Sequence, residues 1–352
     1  MKKEKRIKLL DCTLRDGGFA LEDVFNYDKN IKQFDDCVQK QIASELTSAN
    51  IDIVEIGAVE ISENNKQGFA IFQNIEEISK MIPEDRKSSK YALMFRGPDT
   101  PIDLIPDWNQ SLCEYLRVII RYSELKKSVE YCSELSKKGY KVCVQPMVTL
   151  RYEESEIEYL IDSSNKMNAY ALYFVDSYGY MTNSDVNRLF RKYDKSLDEK
   201  IHIGFHSHNN LNMAFSNVIE FVKESGNRNI IIDSTCLGMG QGAGNVQTEI
   251  VANYLNEEFS SEYNYDYILD VCDRIDKFNN ENLWGYSLTF LLPAINKTAY
   301  KFSVSLRKTY GLSYKEIHNL LKNIPENMRH RFSQKNVKEL LKMSGYTDRF
   351  NL

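Results

Sequence analysis

Apolar and polar positions fall into alternating blocks along most of the chain. Short apolar runs at residues 7–12, 51–57, 91–95, 115–120, 141–148, 171–175, 201–205 and 229–235 have the length and β-branched content of buried strands. Amphipathic stretches separate them. Residues 29–49 carry Ile31, Phe34, Val38, Ile42 and Leu46 at near-helical spacing, which predicts a helix. Helices are likewise expected over 72–81, 125–138, 154–167, from Ser184, over 213–224 and over 247–255.

Eight strand–helix repeats admit two α/β architectures, an open doubly wound sheet or a closed (β/α)8 TIM barrel. An open sheet gathers its functional residues at one switch point. Here polar and charged residues cluster just after runs one, two, three, six, seven and eight, the ends at which a barrel builds its site. Residues 1–274 are therefore expected to form a catalytic TIM barrel. After about Tyr263 the pattern becomes helical, with helices predicted over 266–278, 315–322 and 334–343. Residues 275–352 are expected to be a helical C-terminal appendage that serves a partner or self-association.

Composition narrows the function classes. A net charge of −5 with no basic stripe gives phosphate backbones nothing to bind, so nucleic acid is not an expected partner. No segment approaches the ~20 apolar residues that span a bilayer, and the basic start at 1–10 lacks the apolar core of a signal peptide. The seven cysteines are scattered and form no C-x-x-C pair, the usage of a reduced compartment. A cytoplasmic protein is the expectation.

The chemistry concentrates at His206-Ser207-His208, directly after the seventh run. Alternate residues on a strand share a face, so both imidazoles can converge on one point. A carboxylate from elsewhere would complete a 2-His-1-carboxylate metal set, and Asp16, just beyond the first run, is the candidate. The competing readings are a chance pairing of two of five histidines and a turn or capping role for Asp16 in Asp16-Gly17.

Three separated motifs then carry a resemblance: Asp11-Cys12-Thr13-Leu14-Arg15-Asp16-Gly17, His206-Ser207-His208-Asn209-Asn210 and Gly238-Met239-Gly240-Gln241-Gly242-Ala243-Gly244-Asn245. Over about residues 5–255 the chain resembles the DRE-TIM metallolyases, which include 4-hydroxy-2-oxovalerate aldolase, hydroxymethylglutaryl-CoA lyase and the isopropylmalate and homocitrate synthases. Val175-Asp176-Ser177-Tyr178-Gly179 and Asn209-Asn210-Leu211 favour the aldolase branch. The resemblance implies that Asp16, His206 and His208 hold a divalent metal, with Asn245 as a further ligand or a supporting residue. This donor set suits Mn²⁺ first, and also Mg²⁺, Co²⁺ or Zn²⁺. Arg15 would stabilise a pyruvate enolate; its structural alternative is a salt bridge under the rim. Ser177, with Arg15 and His206, would face the substrate, and its alternative is a turn after a strand. The four alternating glycines read equally as an anion cradle and as a tight loop.

One position departs from the aldolases. Their general base, a histidine four residues past the arginine, is here Phe19, whose ring moves no proton. Tyr286, in Trp284-Gly285-Tyr286, is the catalytic tyrosine the resemblance suggests, against a packing role. The leading expectation is a class II aldolase acting on a 2-oxo acid and an aldehyde. Its alternatives are a Claisen-type acyl-CoA synthase or lyase and a non-catalytic metal-binding subunit of a dehydrogenase assembly. A homo-oligomer and an aldehyde dehydrogenase partner are further expectations of the resemblance.

Overall fold

The computed structural model describes residues 6–61, 66–110, 113–279 and 283–351. Nine strands occur in it: β1 (Ile7–Asp11), β2 (Ile53–Val59), β3 (Ile71–Phe72), β4 (Lys90–Phe95), β5 (Tyr115–Ile120), β6 (Lys141–Pro146), β7 (Ala171–Asp176), β8 (His202–Ser207) and β9 (Ile230–Ser234). All pair in parallel, in the order β1-β9-β8-β7-β6-β5-β4-β2, and β1 returns to β2 with Leu10 opposite Ile53. Closure leaves no open edge among these eight strands, and the two-residue β3 adds to β2 outside the ring. The eight apolar runs are thus the eight strands of a TIM barrel.

Strand periodicity sorts the side chains. On β5, Leu116, Val118 and Ile120 join the layer between strands and helices, while Tyr115 and the fully buried Arg117 have the opposite parity and point inward. On β9, Ile230 and Ile232 pack outward and Ile231 inward. On β8 the inward parity is His202, Gly204 and His206. A Cβ at Gly204 would run into the Tyr173 ring, so this glycine leaves room for an aromatic in the barrel interior.

Two helix starts differ from the sequence pattern. The helix expected from residue 29 begins at Asp36, because Asp35 caps it by accepting the Val38 N–H at 2.8 Å. Residues 13–25, over which the apolar spacing predicts no helix, form the helix Thr13–Phe25, and Gly17-Gly18 lies inside it. Neither glycine is needed for its backbone freedom. A Cβ on Gly18 would overlap the Phe69 carbonyl oxygen, and one on Gly17 would meet the Met239 sulfur, so both admit close packing.

The barrel core does not stop at residue 274. Helix Tyr265–Asp276 packs on Asp36–Ser48, with Arg274 paired to Glu45 at 2.5 Å, and Ile275, Phe278 and Trp284 join the barrel's apolar cluster. The boundary expected at 274/275 therefore falls inside a helix. A second core, including Phe302, Leu306, Ile317, Leu321 and Leu341, forms under Tyr300–Lys308, Tyr314–Lys322 and Gln334–Met343. This helical unit covers the barrel mouth, because Tyr300, Lys301, His330 and Phe332 line one cavity with Arg15, Asp16, His206 and His208. Among the described residues no helix is long and apolar enough to cross a membrane.

Candidate metal centre

Three chain segments build the centre. Helix Thr13–Phe25 starts directly after β1 and places Arg15 and Asp16 in its first turn, over the barrel mouth. Its start is tied to the next-door loop, since Thr13 Oγ1 accepts from Cys236 N at 2.8 Å and Asp11 accepts from Thr13 N and Thr248 Oγ1. Asp11 is a satisfied core carboxylate. The end of β8 delivers His206 and, two residues on, His208. The glycine-rich loop bridges back to β8, with His208 opposite Asn245 and Asn209 N donating to Gly244 O at 2.8 Å. Gly238, Gly242 and Gly244 have positive φ, which makes the segment a tight loop. At Gly240 a Cβ would collide with the Asn245 amide beside Asp16.

The donor atoms converge. His206 Nε2 and His208 Nε2 lie 3.2 Å apart, and Asp16 Oδ2 is 3.7 Å from each. All three residues are buried. The other ring nitrogens set the tautomers. His206 Nδ1 is 2.9 Å from Asp233 Oδ2, an oxygen that Arg117 also holds, and His208 Nδ1 is 3.2 Å from the Gln241 carbonyl, which can only accept. Both imidazoles therefore donate from Nδ1 and turn Nε2 lone pairs toward each other and toward a carboxylate. Burial lowers both histidine pKa values, which favours the neutral, ligating form. Burial pushes Asp16 upward, but Arg15 and then His208 and His206 pull it down to about 2. Asn245 donates Nδ2 to Asp16 Oδ2 at 2.5 Å and leaves its Oδ1 buried without a partner. Two facing lone pairs and an ionised carboxylate are the surroundings of a cation, and these three residues fit a divalent metal, with the Asn245 amide supporting Asp16 through Nδ2.

Behind the donors runs a chain of buried charges. Arg15 donates Nη1 to Asp16 at 2.7 Å and Nε to Glu55 at 2.8 Å; Arg117 donates Nη1 to Glu55 at 2.6 Å and Nη2 to Asp233. Asp233 in turn receives His206. The chain starts at one candidate donor, Asp16, and ends at another, His206. With two guanidinium groups and three carboxylates it carries one net negative charge (2 − 3 = −1), which a dication at the open end converts to a net positive one. Gln145, its amide oxygen toward Arg117, accepts from Nε at 3.1 Å and Nη2 at 3.0 Å.

The cavity above these residues has a volume of about 320 Å³, at the lower end of the range for small-molecule sites. Arg15, Asp16, Ser177, His206 and His208 all reach it. Ser177 Oγ accepts from Val148 N at 2.9 Å, which holds that valine in a left-handed conformation (φ 52°) and leaves the hydroxyl proton to donate. Tyr286 is not brought in. It is 61% exposed; Trp284 is the residue that turns inward, donating Nε1 to Leu237 O at 2.9 Å. The tyrosines on the wall are Tyr178 and Tyr300, and Tyr300 donates to Asp23 at 2.5 Å. Phe19 also lines the cavity, its ring under Arg96 at 4.0 Å and beside Arg15 at 5.6 Å. Glu55, Arg117 and Asp233 were legible in part: each is a charge at the inward parity of a strand whose other inward and outward positions are largely apolar. Tyr300 and His330 left no local signal.

Comparison with known proteins agrees with this arrangement. The HMGL-like family matches residues 6–275. The chain is 26% identical over 256 residues to a 4-hydroxy-2-oxovalerate aldolase of Pseudoalteromonas translucida, covering 72% of this chain and 71% of the relative. It is also 26% identical to an oxaloacetate decarboxylase of Mycobacterium tuberculosis over 244 residues, 68% of this chain and 67% of the other. In fold it resembles the carboxyl transferase domain of Rhizobium etli pyruvate carboxylase solved with pyruvate, with a TM-score of 0.70 and 13% identity; the likeness covers 100% of this chain and 62% of that one. With the family matched across the whole barrel, and with its motifs gathered at one barrel mouth, the chain belongs to the HMGL-like family of the DRE-TIM superfamily.

Proposed function

We propose that the protein is a divalent-metal-dependent lyase of 2-oxo acids, an aldolase that makes or breaks a carbon–carbon bond through a pyruvate-type enolate. The observation that carries this reading is the convergence of Asp16, His206 and His208 beside Arg15. A divalent cation, Mn²⁺ by preference, would be held by these three residues with Asn245 and would supply Lewis acidity at a 2-oxo acid. The chain's own residues do the rest. Arg15 spends Nε on Glu55 and Nη1 on Asp16, which leaves Nη2 for the cavity and for negative charge developing on the substrate oxygen. Ser177 supplies a hydroxyl donor for a carboxylate. Met94, Ile119 and Met147 give the opposite wall an apolar character suited to the non-acid half of the substrate. A dehydrogenase that consumes the released aldehyde, and self-association, belong to the same reading.

A second reading is favoured by Phe19. Decarboxylation of oxaloacetate breaks a carbon–carbon bond to the same enolate without first removing a hydroxyl proton, so it tolerates a phenyl ring where aldolases carry their base. The experiment is metal-dependent exchange of pyruvate methyl protons with D₂O, followed by NMR, with oxaloacetate decay measured alongside. Exchange or decarboxylation that requires both Mn²⁺ and Arg15, judged against Arg15→Ala, is the expected result. A tightly bound metal with neither reaction sinks the reading and redirects the assignment to acyl-CoA chemistry or a binding role.

A further inference from the structure

Aldol cleavage needs a group that accepts the substrate's hydroxyl proton, and the barrel leaves that place to Phe19. The titratable groups on the cavity wall are few among the described residues: Arg15, Asp16, Tyr178, His206, His208, Tyr300, Lys301 and His330. Asp16, His206 and His208 face the cation position. Arg15 is locked between two carboxylates. Tyr300 and Lys301 both donate to Asp23, at 2.5 and 2.6 Å. Burial raises Tyr178 to about 12 and raises Tyr300 well above the usual phenol range, so near neutrality both phenols keep their protons.

His330 is different. Its Nδ1 is buried without a hydrogen-bond partner. The ring is stacked on Tyr178, with centroids 5.7 Å apart and planes within 3°. Tyr178 follows Ser177 on the loop after β7, so the stack ties the C-terminal unit to the cavity wall. The residue before it is anchored as well: Arg329 donates to Asn296 O at 2.5 Å, and its carbonyl accepts from Ala299 N at 3.0 Å. The imidazole is thus held in place by stacking and by its backbone, with hydrogen-bonding capacity unspent. Burial first and then the Arg151 cation hold its pKa down to about 4, with Glu326 pulling the other way and Arg329 adding least, so the ring is neutral at pH 7.

We propose that His330, supplied by the helical region beyond the barrel, is the proton-transfer residue of this site. The proposal rests on the enolate reading above. A ring nitrogen of His330 takes the proton from the C4 hydroxyl of a 4-hydroxy-2-oxo acid. The C3–C4 bond breaks, the O–H electron pair becomes the aldehyde carbonyl, and the bond pair passes to the enolate oxygen. The imidazolium then returns its proton to C3 and releases pyruvate with His330 neutral again. Nothing is consumed beyond the substrate.

Two substrates that share the enolate but differ in the hydroxyl test this. Retro-aldol cleavage of 4-hydroxy-2-oxovalerate needs the base; cleavage of oxaloacetate to CO₂ does not. With Mn²⁺ bound, His330→Gln is expected to lower kcat for the first at least about 100-fold more than for the second. KM should change little. Added imidazole should restore part of the loss in His330→Ala. Equal losses on both substrates, with no imidazole rescue, would mark His330 as structural and overturn the proposal, as would an unchanged ratio. If the parent enzyme decarboxylates oxaloacetate but leaves the hydroxy acid intact, the enolate reading stands and the role of His330 falls. If the Mn²⁺-loaded parent does neither, the enolate reading itself falls.

Discussion

The imidazole of His206 is pinned at both ends, and this is where single residues matter most. Its Nδ1 proton goes to Asp233, so its Nε2 is committed to whatever sits beside Asp16. Partners of this kind typically contribute 10–100-fold to metal affinity. Asp233→Asn is accordingly expected to weaken Mn²⁺ binding by roughly that factor in titration calorimetry. Parent-like affinity would show that the ring needs no carboxylate behind it. Phe19 gives a second prediction at this scale. Its ring occupies the cavity wall beside Arg15, so Phe19→His places an imidazole where the aldolases carry theirs. In the His330→Gln background this change is expected to recover retro-aldol turnover, measured by pyruvate release; no recovery would count against Phe19 as the site of a missing base. The convergence of Asp16, His206 and His208 was readable in the sequence because rare residue types sit together at strand ends. Tyr286, which the resemblance suggested as the catalytic tyrosine, stays exposed: the chain turns at Gly285 with φ +94°, Trp284 buried before it and Tyr286 outside after it.

Among the elements, helix Thr13–Phe25 bears most directly on the site, since its first turn carries Arg15 and Asp16. In sequence Asp16-Gly17 admits a turn. In the fold Gly17 and Gly18 are the contact surface against the Phe69 carbonyl and Met239. Gly18→Ala is therefore expected to destabilise the protein by about 1–3 kcal/mol, the usual cost of overpacking, and to weaken Mn²⁺ binding by shifting Asp16. Gly226→Ala is the comparison. That glycine has positive φ but open space around it, so its cost is expected at about 1 kcal/mol without an effect on metal. Denaturant titration of both variants checks the difference; equal costs would mean that backbone conformation, and not contact, governs Gly18. The strands followed their apolar runs closely because strands of a parallel barrel are buried on both faces and so read as continuous apolar runs. Helix starts did not, because a cap such as Asp35 overrides apolar spacing.

On the scale of the whole molecule, the barrel and the helical region make one site. The buried chain from Asp16 through Arg15, Glu55, Arg117 and Asp233 to His206 crosses the interior and leaves one uncompensated negative charge. Buried charges are costly when unpaired, so a bound dication should stabilise the entire fold. At 100 times its Kd, Mn²⁺ is expected to add about 2.7 kcal/mol, read as a higher Tm that EDTA reverses. Asp16→Asn should abolish that increment; a Tm indifferent to Mn²⁺ would separate the charge chain from metal binding.

By itself the sequence determined the closed barrel and which residues gather as candidate metal donors at its mouth. Both follow from local rules: apolar runs of strand length, helical spacing between them, and polar residues at the strand ends. It also carried the mismatch at Phe19. Only the tertiary structure decided what lies behind and above the ligands. Glu55, Arg117 and Asp233 are remote in sequence and meet because three separate strands point the same parity inward. Tyr300 and His330 enter the cavity because a second apolar core folds over the barrel mouth. Such contacts are set by the packing of distant segments against each other, which no local pattern of residues encodes.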